Sequence, residues 1–138
     1  TGYTLHGDVT SEVNIEELVK ACGVKHIRTI NPNNLSQVKE SLDWAFELDE
    51  PSVIIARWPC ALKKFSKQDI EEFNNPFTSK CSVNTDKCIG CKLCMKIGCP
   101  AISFKSEEKM VSIDSNKCVG CEVCSQVCPK DAISKERN

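Results

Sequence analysis

Eight of the eleven cysteines in this 138-residue chain fall into two short arrays in its last third. Each array has the spacing Cys-x2-Cys-x2-Cys, followed after three or four residues by a Cys-Pro pair. The cysteines of the two arrays are Cys88, Cys91, Cys94 and Cys99, and then Cys118, Cys121, Cys124 and Cys128. A [4Fe–4S] cubane needs a thiolate on each of four irons, and a compact loop of this spacing can present three of them. The arrays therefore predict two [4Fe–4S] clusters.

The fourth thiolate of each cluster has to approach from the far side of the cube, so we expect it to come from the other array. The ligands predicted for cluster I are Cys88, Cys91, Cys94 and Cys128. Those predicted for cluster II are Cys118, Cys121, Cys124 and Cys99. Gly90 and Gly120 lie inside the two loops, where the missing Cβ lets the backbone come close to the cluster.

Three other uses of so many cysteines fit the pattern less well. A structural zinc site typically takes two separated cysteine pairs, and three cysteines within seven positions do not suit it. A disulfide framework would imply secretion, but the chain shows no signal-peptide pattern and its number of cysteines is odd. A metallothionein-like thiol cluster would not need the Val, Ile and Ala residues that flank each array.

The internal repeat extends beyond the cysteines themselves. Residues 83–88 match residues 113–118, and residues 101–103 match residues 132–134. Each half is thus predicted to form a strand, a cluster loop, a short helix and a second strand, with a pseudo-twofold axis relating the halves. The first array has one residue more before its last cysteine than the second array has, so the loop around Gly98 is expected to differ locally.

The first 57 residues have a different pattern, in which helices alternate with strands. Asn14, followed three residues later by Glu17, predicts a helix N-terminus, and Gly23 predicts its end. Residues 26–30 and 52–57 are predicted strands, and apolar residues at helical spacing between positions 35 and 46 predict a second helix. Strand, helix and strand with short links indicate parallel pairing in a doubly wound α/β layer.

That layer is too small to stand alone, because two strands and two helices bury little apolar surface. We therefore expect an α+β chain in which a C-terminal piece of a doubly wound parallel α/β domain is followed by a two-cluster ferredoxin-type domain. The predicted divisions are residues 1–57 for the α/β portion, 58–80 for a linker and 81–138 for the two-cluster domain.

Charge and hydropathy argue against nucleic-acid and membrane partners, and the cysteine content favours a location in the cytoplasm. Residues 79–138 contain 10 basic and 7 acidic residues, and this excess would be offset by two clusters of about −2 each, counted with their thiolates. We therefore expect no nucleic-acid binding. No apolar run approaches the ~18 residues of a membrane span, so no membrane partner is expected. Cysteine-rich iron–sulfur chemistry without a secretion signal favours the reducing cytoplasm.

A stretch before the cysteine arrays carries a family resemblance. Residues 53–62, Val-Ile-Ile-Ala-Arg-Trp-Pro-Cys-Ala-Leu, followed by a linker and a two-cluster domain, resemble the C-terminal end of the α subunit in the indolepyruvate ferredoxin oxidoreductase family. That family belongs to the thiamine-diphosphate-dependent 2-oxoacid:ferredoxin oxidoreductases. Thr1, Gly2 and His6 are similar to the family's Thr-Gly-His-Gln-x-His-Pro segment, although residues 3, 4 and 7 depart from it. The family's Gly-Asp-Ser/Gly…Asn metal motif is not found in this sequence.

The resemblance implies that the chain is part of a larger enzyme of anaerobic metabolism. Such an enzyme oxidatively decarboxylates an arylpyruvate to acyl-CoA, and external ferredoxin accepts the electrons. Thiamine diphosphate and Mg²⁺ would belong to the complete enzyme, and His6 is the residue of this chain expected near the thiamine cofactor. No catalytic residue is assigned. The expected partners are the β subunit, the upstream part of the α subunit, external ferredoxin, a 2-oxoacid and CoA.

One alternative from a different functional class stays open. The chain could be a stand-alone ferredoxin-like electron carrier whose α/β segment only docks it to a partner.

Three cysteines outside the predicted ligand sets are interpreted as small residues that pack in the interior, namely Cys22, Cys60 and Cys81.

Overall fold

The computed structural model describes residues 4–74, 77 and 79–135. It contains two compact units, one within residues 1–57 and the other within residues 58–138 together with the short segment 33–35. The helices and strands, in chain order, are α1 (Ile15–Ala21), β1 (His26–Ile30), α2 (Leu35–Phe46), β2 (Ser52–Ala56), α3 (Lys67–Glu72), β3 (Cys81–Val83), a 3-10 helix (Leu93–Ile97), β4 (Ile102–Lys105), β5 (Met110–Ile113), α4 (Val123–Gln126) and β6 (Ile133–Lys135).

The first unit is built on a pair of parallel strands. β1 and β2 run side by side, with His26 opposite Ser52 and Ile30 opposite Ala56. Parallel neighbours need a long crossover, and α2 lies in the connection between these two strands. At the start of α1 the side chain of Asn14 accepts a hydrogen bond from the backbone N–H of Glu17, as expected of an N-cap. The predicted helices, strands and parallel pairing are confirmed.

Much of the apolar surface of this unit is left open. Among the described residues, β1 is the strand that pairs with β2. Several apolar side chains of α1 and α2 are exposed, namely Ile15, Leu18, Leu42 and Phe46, the last at 86% exposure. Helical periodicity therefore identified an apolar face that the described residues leave partly exposed.

A short helix follows the first unit and has a complete N-terminal cap. The hydroxyl of Ser66 accepts a hydrogen bond from the N–H of Asp69, and the Asp69 carboxylate accepts one from the N–H of Ser66. Lys63 also donates to this carboxylate at 2.7 Å. These hydrogen bonds lower the pKa of Asp69 to about 2, and the one from Lys63 has the largest effect, ahead of those from Ser66. The helix predicted from Ser66 onward is confirmed.

The second unit consists of two interlocked repeats. The first repeat contains β3, the 3-10 helix and β4, and the second contains β5, α4 and β6. β3 pairs antiparallel with β6, and β4 pairs antiparallel with β5. The β3–β6 sheet thus pairs the first strand of the first repeat with the last strand of the second. The β4–β5 sheet pairs the two strands on either side of the connection between the repeats. The two short helices pack against each other, so each repeat contributes to both sheets and to one shared core.

The repeats differ where the spacing of the cysteines differs. The helix of the first repeat is a 3-10 helix that ends at Gly98 in a left-handed conformation with φ of 73°. The equivalent helix of the second repeat is α-helical and ends at Val127 with an ordinary negative φ. The expected local difference around Gly98 is confirmed.

No helix in the described part of the chain combines the length and the apolar character needed to cross a bilayer.

Candidate metal centres

One cavity of the second unit brings together cysteines from both arrays. Cys88, Cys91 and Cys94 come from the loop before and at the start of the 3-10 helix, and Cys128 comes from the segment that follows α4. All four line the same cavity of about 340 Å³, which opens to solvent. These are the four residues predicted to bind cluster I.

A second cavity has the complementary set of cysteines. Cys118 and Cys121 approach it from the second loop, Cys124 from the start of α4, and Cys99 from the segment after the 3-10 helix. This cavity of about 520 Å³ also opens to solvent, and Cys81 lies in its wall as a fifth cysteine. The four residues predicted to bind cluster II are thus together, and a cysteine outside the prediction accompanies them.

The donor sets suit polynuclear iron–sulfur chemistry. Apart from their lysine and glutamate residues, the walls of both cavities consist of cysteine, apolar and glycine residues. Soft thiolate ligands favour zinc, copper(I) and iron–sulfur clusters over harder cations. In the region that the structure describes, no three His, Cys, Asp or Glu side chains converge closely enough to hold one metal ion. A [4Fe–4S] cubane takes one thiolate on each of its four irons.

Close backbone packing fixes the shape of both cluster loops. Gly90 and Gly120 have left-handed φ values of 65° and 76°, which a glycine adopts without steric cost. A Cβ added at Gly90 would overlap the carbonyl oxygen of Lys109, and one added at Gly120 would overlap that of Ser79. Lys109 and Ser79 are 30 residues apart, as are the two glycines, so this packing obeys the same repeat as the cysteines. The role of the two carbonyls was not foreseen from sequence.

Two backbone groups donate hydrogen bonds to cysteine sulfurs that the prediction assigns as ligands. The N–H of Cys81 lies 3.4 Å from the Sγ of Cys118, and the N–H of Ala132 lies 3.3 Å from the Sγ of Cys128. Such donors stabilise negative charge on sulfur, which is one way in which a protein sets the reduction potential of a cluster.

The cysteines of the cavities differ in their acidity. Burial raises the pKa of the Cys94 thiol. The interaction with Cys124 raises the pKa of Cys81, and the interaction with Cys81 lowers the pKa of Cys124. Cys81 is buried, which confirms its prediction as an interior residue, but its contact with two predicted ligands had no signal in the cysteine spacing.

Lysine side chains lie beside both cavities. Lys92 and Lys130 line the first, and the Nζ of Lys92 sits 3.9 Å from the centre of the Phe104 ring. Lys117 and Glu122 line the second. Cations at these positions offset the negative charge of a cluster with four thiolates.

The remaining candidate residues lie elsewhere. His6 is exposed in a turn near the start of the described residues, and Thr1 and Gly2 fall outside them. Cys22 and Cys60 are exposed, so the prediction that they pack in the interior was wrong for this chain. Cys22 directly follows α1, on the same side as the exposed apolar residues Ile15 and Leu18, so it is exposed together with them.

The sequence relationships agree with this arrangement of thiols. Residues 81–135 match the model of the 4Fe-4S dicluster domain family. Over 138 residues the chain is 38% identical to indolepyruvate oxidoreductase subunit IorA of Pyrococcus abyssi, which covers 99% of this chain and 21% of that subunit. IorA of Archaeoglobus fulgidus is 36% identical over 139 residues, which covers 100% of this chain and 21% of the relative. The chain is thus similar to part of the IorA subunit.

The match extends over the α/β unit as well as the cysteine arrays, since it covers nearly all of this chain. The chain spans about a fifth of the length of these IorA relatives, so it corresponds to a piece of such a subunit. Residues 81–135 form its dicluster domain, which holds two [4Fe–4S] clusters. Ferredoxin I of Desulfovibrio africanus is 26% identical to the aligned part, which covers 44% of this chain and 100% of that structure with a TM-score of 0.39.

Proposed function

We propose that the two clusters are held by crossed sets of ligands, each with three thiolates from one array and one from the other. The observation that supports this is the composition of the two cavities. Cys128 shares a cavity with the first array, whereas Cys99 shares one with the second. Because each cavity contains one complete predicted set, the crossed assignment gives every iron of both cubanes a thiolate.

We further propose that the domain relays electrons one at a time through these clusters. Each [4Fe–4S] centre accepts and donates single electrons, so two of them can divide a two-electron oxidation into two steps. The 3-10 helix carries Cys94 and packs against α4, which carries Cys124, so one ligand of each cluster comes from this helix pair. An electron can thus pass between neighbouring centres inside one small domain.

The reaction that supplies these electrons is proposed from the relationship to IorA. The named relatives are indolepyruvate oxidoreductase subunits, and we infer that this chain is the electron-transfer part of an indolepyruvate:ferredoxin oxidoreductase. Thiamine diphosphate with Mg²⁺, held by the complete enzyme, would supply the decarboxylation chemistry. The substrates would be an arylpyruvate and CoA, the accepting protein an external ferredoxin, and the partners a β subunit and the rest of the α subunit.

Residues 1–57 would then be the C-terminal portion of the α/β domain that binds thiamine diphosphate, with residues 58–80 as linker and 81–138 as the ferredoxin domain. The open apolar surface of this portion supports the proposal, since Val13, Leu18 and Phe46 would need neighbours from a larger domain. His6 stays a candidate for the vicinity of the thiamine cofactor. A stand-alone electron carrier is not favoured, because the relationship to IorA extends through the α/β portion as well as the cysteine arrays.

Anaerobic reconstitution tests the two parts of this proposal separately. The reconstituted chain is expected to contain about eight iron and eight sulfide, as two cubanes require, and dithionite is expected to bleach its visible absorption. Adding thiamine diphosphate, Mg²⁺, CoA and indolepyruvate should cause no bleaching of the isolated chain. The same additions should bleach the clusters in the complete two-subunit enzyme.

The outcomes that would contradict the proposal are also distinct. Two or fewer iron atoms per chain would contradict the two-cluster domain itself. Bleaching of the isolated chain by indolepyruvate would show that residues 1–57 hold a full thiamine site. Failure of indolepyruvate to bleach the complete enzyme, when dithionite does so, would contradict the proposed substrate.

A further inference from the structure

The two cavities differ at one position of the internal repeat. A shift of 30 residues carries Cys88 onto Cys118 and Gly90 onto Gly120, and the same shift carries Cys81 onto Val111. Cys81 lines the second cavity, and Val111 lines the first. Both side chains are buried, at 3% and 4% exposure, so each fills the interior of its own repeat. A valine is thus sufficient for packing at this position, and the cysteine adds a thiol.

The thiol of Cys81 is directed at the proposed ligands of cluster II. Its side chain lies in the wall of the second cavity together with Cys124 and interacts with it. Because a sulfur bound to iron carries no proton, only the Cys81 S–H can donate between these two residues. Its backbone N–H donates to the Sγ of Cys118. Cys81 therefore offers two donors, its backbone N–H and its S–H, to two different sulfurs. Only the S–H requires this residue to be cysteine.

We propose that Cys81 is a positioning residue that raises the reduction potential of cluster II by donating its S–H to the Sγ of Cys124. This inference rests on the proposed assignment of Cys124 as a ligand. When a [4Fe–4S]²⁺ centre gains one electron, the added negative charge is shared with the ligand sulfurs. A donor to one of those sulfurs stabilises the reduced form more than the oxidised form. The thiol keeps its proton, and no bond is made or broken.

The expected effect has the size of one weak hydrogen bond. At a fixed applied potential, Cys81→Val is expected to lower the ratio of reduced to oxidised cluster II by three- to tenfold. For a one-electron couple this corresponds to a downward shift of about 30–60 mV. Cluster I should keep its potential, because Val111 occupies the equivalent place there.

The test is a potentiometric titration of the anaerobically reconstituted chain, followed by electron paramagnetic resonance with dithionite as reductant. Signals are assigned with Cys128→Ala and Cys99→Ala, each of which removes the proposed fourth ligand of one cluster. Cys81→Ser retains a side-chain donor and is expected to restore most of the potential. The mirrored variant Val111→Cys places a thiol in the first cavity and is expected to raise the potential of cluster I.

These variants separate the inference from the cluster assignment on which it rests. Two intact clusters with unchanged potentials in both Cys81→Val and Val111→Cys would overturn the role of the thiol and leave the assignment standing. A shift in Cys81→Val that is confined to the cluster that Cys99→Ala leaves in place would overturn it as well. Chains that never bind two clusters, the unaltered sequence included, would contradict the proposed function instead. If Cys81→Ser disturbs the core, the potential of cluster I in Val111→Cys still tests the role of the thiol.

Discussion

Replacing Cys128 by alanine is expected to abolish [4Fe–4S] cluster I, although Cys128 belongs to the second array. The first cavity would keep only three thiols, from Cys88, Cys91 and Cys94. A cubane with one uncoordinated iron loses that iron readily, so the site should be empty or hold a [3Fe–4S] core. Iron and sulfide analysis gives the loss, and electron paramagnetic resonance of the oxidised protein distinguishes the two products.

The reciprocal change is Cys99→Ala, which is expected to remove cluster II while cluster I survives. Cys60→Ala is the matched control, because Cys60 is exposed and lies outside both cavities, and it should retain about eight iron. If Cys128→Ala removed cluster II and spared cluster I, each array would be supplying all four of its own ligands. The crossed assignment would then be wrong.

Gly120→Ala is expected to destabilise the second cluster loop severely. The left-handed φ of 76° costs an alanine about 1–2 kcal/mol, and the new Cβ would also have to displace the carbonyl oxygen of Ser79. Since that oxygen belongs to the backbone, we expect a total loss of about 3 kcal/mol or more. The measurements are thermal unfolding of the reconstituted chain and the amount of iron retained in cluster II.

Gly98→Ala separates the two contributions to this loss. Gly98 has a similar φ of 73°, but a Cβ there meets nothing within 4 Å. It should therefore cost only the ~1–2 kcal/mol of the left-handed conformation and leave both clusters in place. Gly90→Ala, which would meet the carbonyl of Lys109, should damage cluster I as Gly120→Ala damages cluster II. Equal stability of Gly98→Ala and Gly120→Ala would show that the loops do not need this close approach.

The features that sequence predicted well are those with short-range physical causes. The N-caps at Asn14 and Ser66 depend on neighbours three residues away, and both form as expected. The cysteine arrays are equally local, since the spacing within each loop decides which three sulfurs face one way. The repeated pattern also predicted the shared order of elements in the two halves, although it did not predict that β3 pairs with β6.

The features that sequence missed depend on contacts between distant parts of the chain. Nothing in the spacing places the N–H of Cys81 beside Cys118, 37 residues later. Likewise, the carbonyls of Ser79 and Lys109 carry no side-chain signature of their contact with the glycines. For Cys22 the helical pattern correctly predicted an apolar face, but periodicity cannot tell whether the surface that covers this face belongs to the same chain.

The exchange of Cys99 and Cys128 between the two cavities has a topological consequence. Each cluster would act as a four-way cross-link, fastening the loop of one repeat to the far end of the other. Like a disulfide, such a link restricts the unfolded chain, and like a structural metal site it makes assembly of the cofactor part of folding. Oxidative loss of one cluster would therefore loosen both repeats at once, because each cluster fastens a segment of each, while the remaining cluster still links the two repeats.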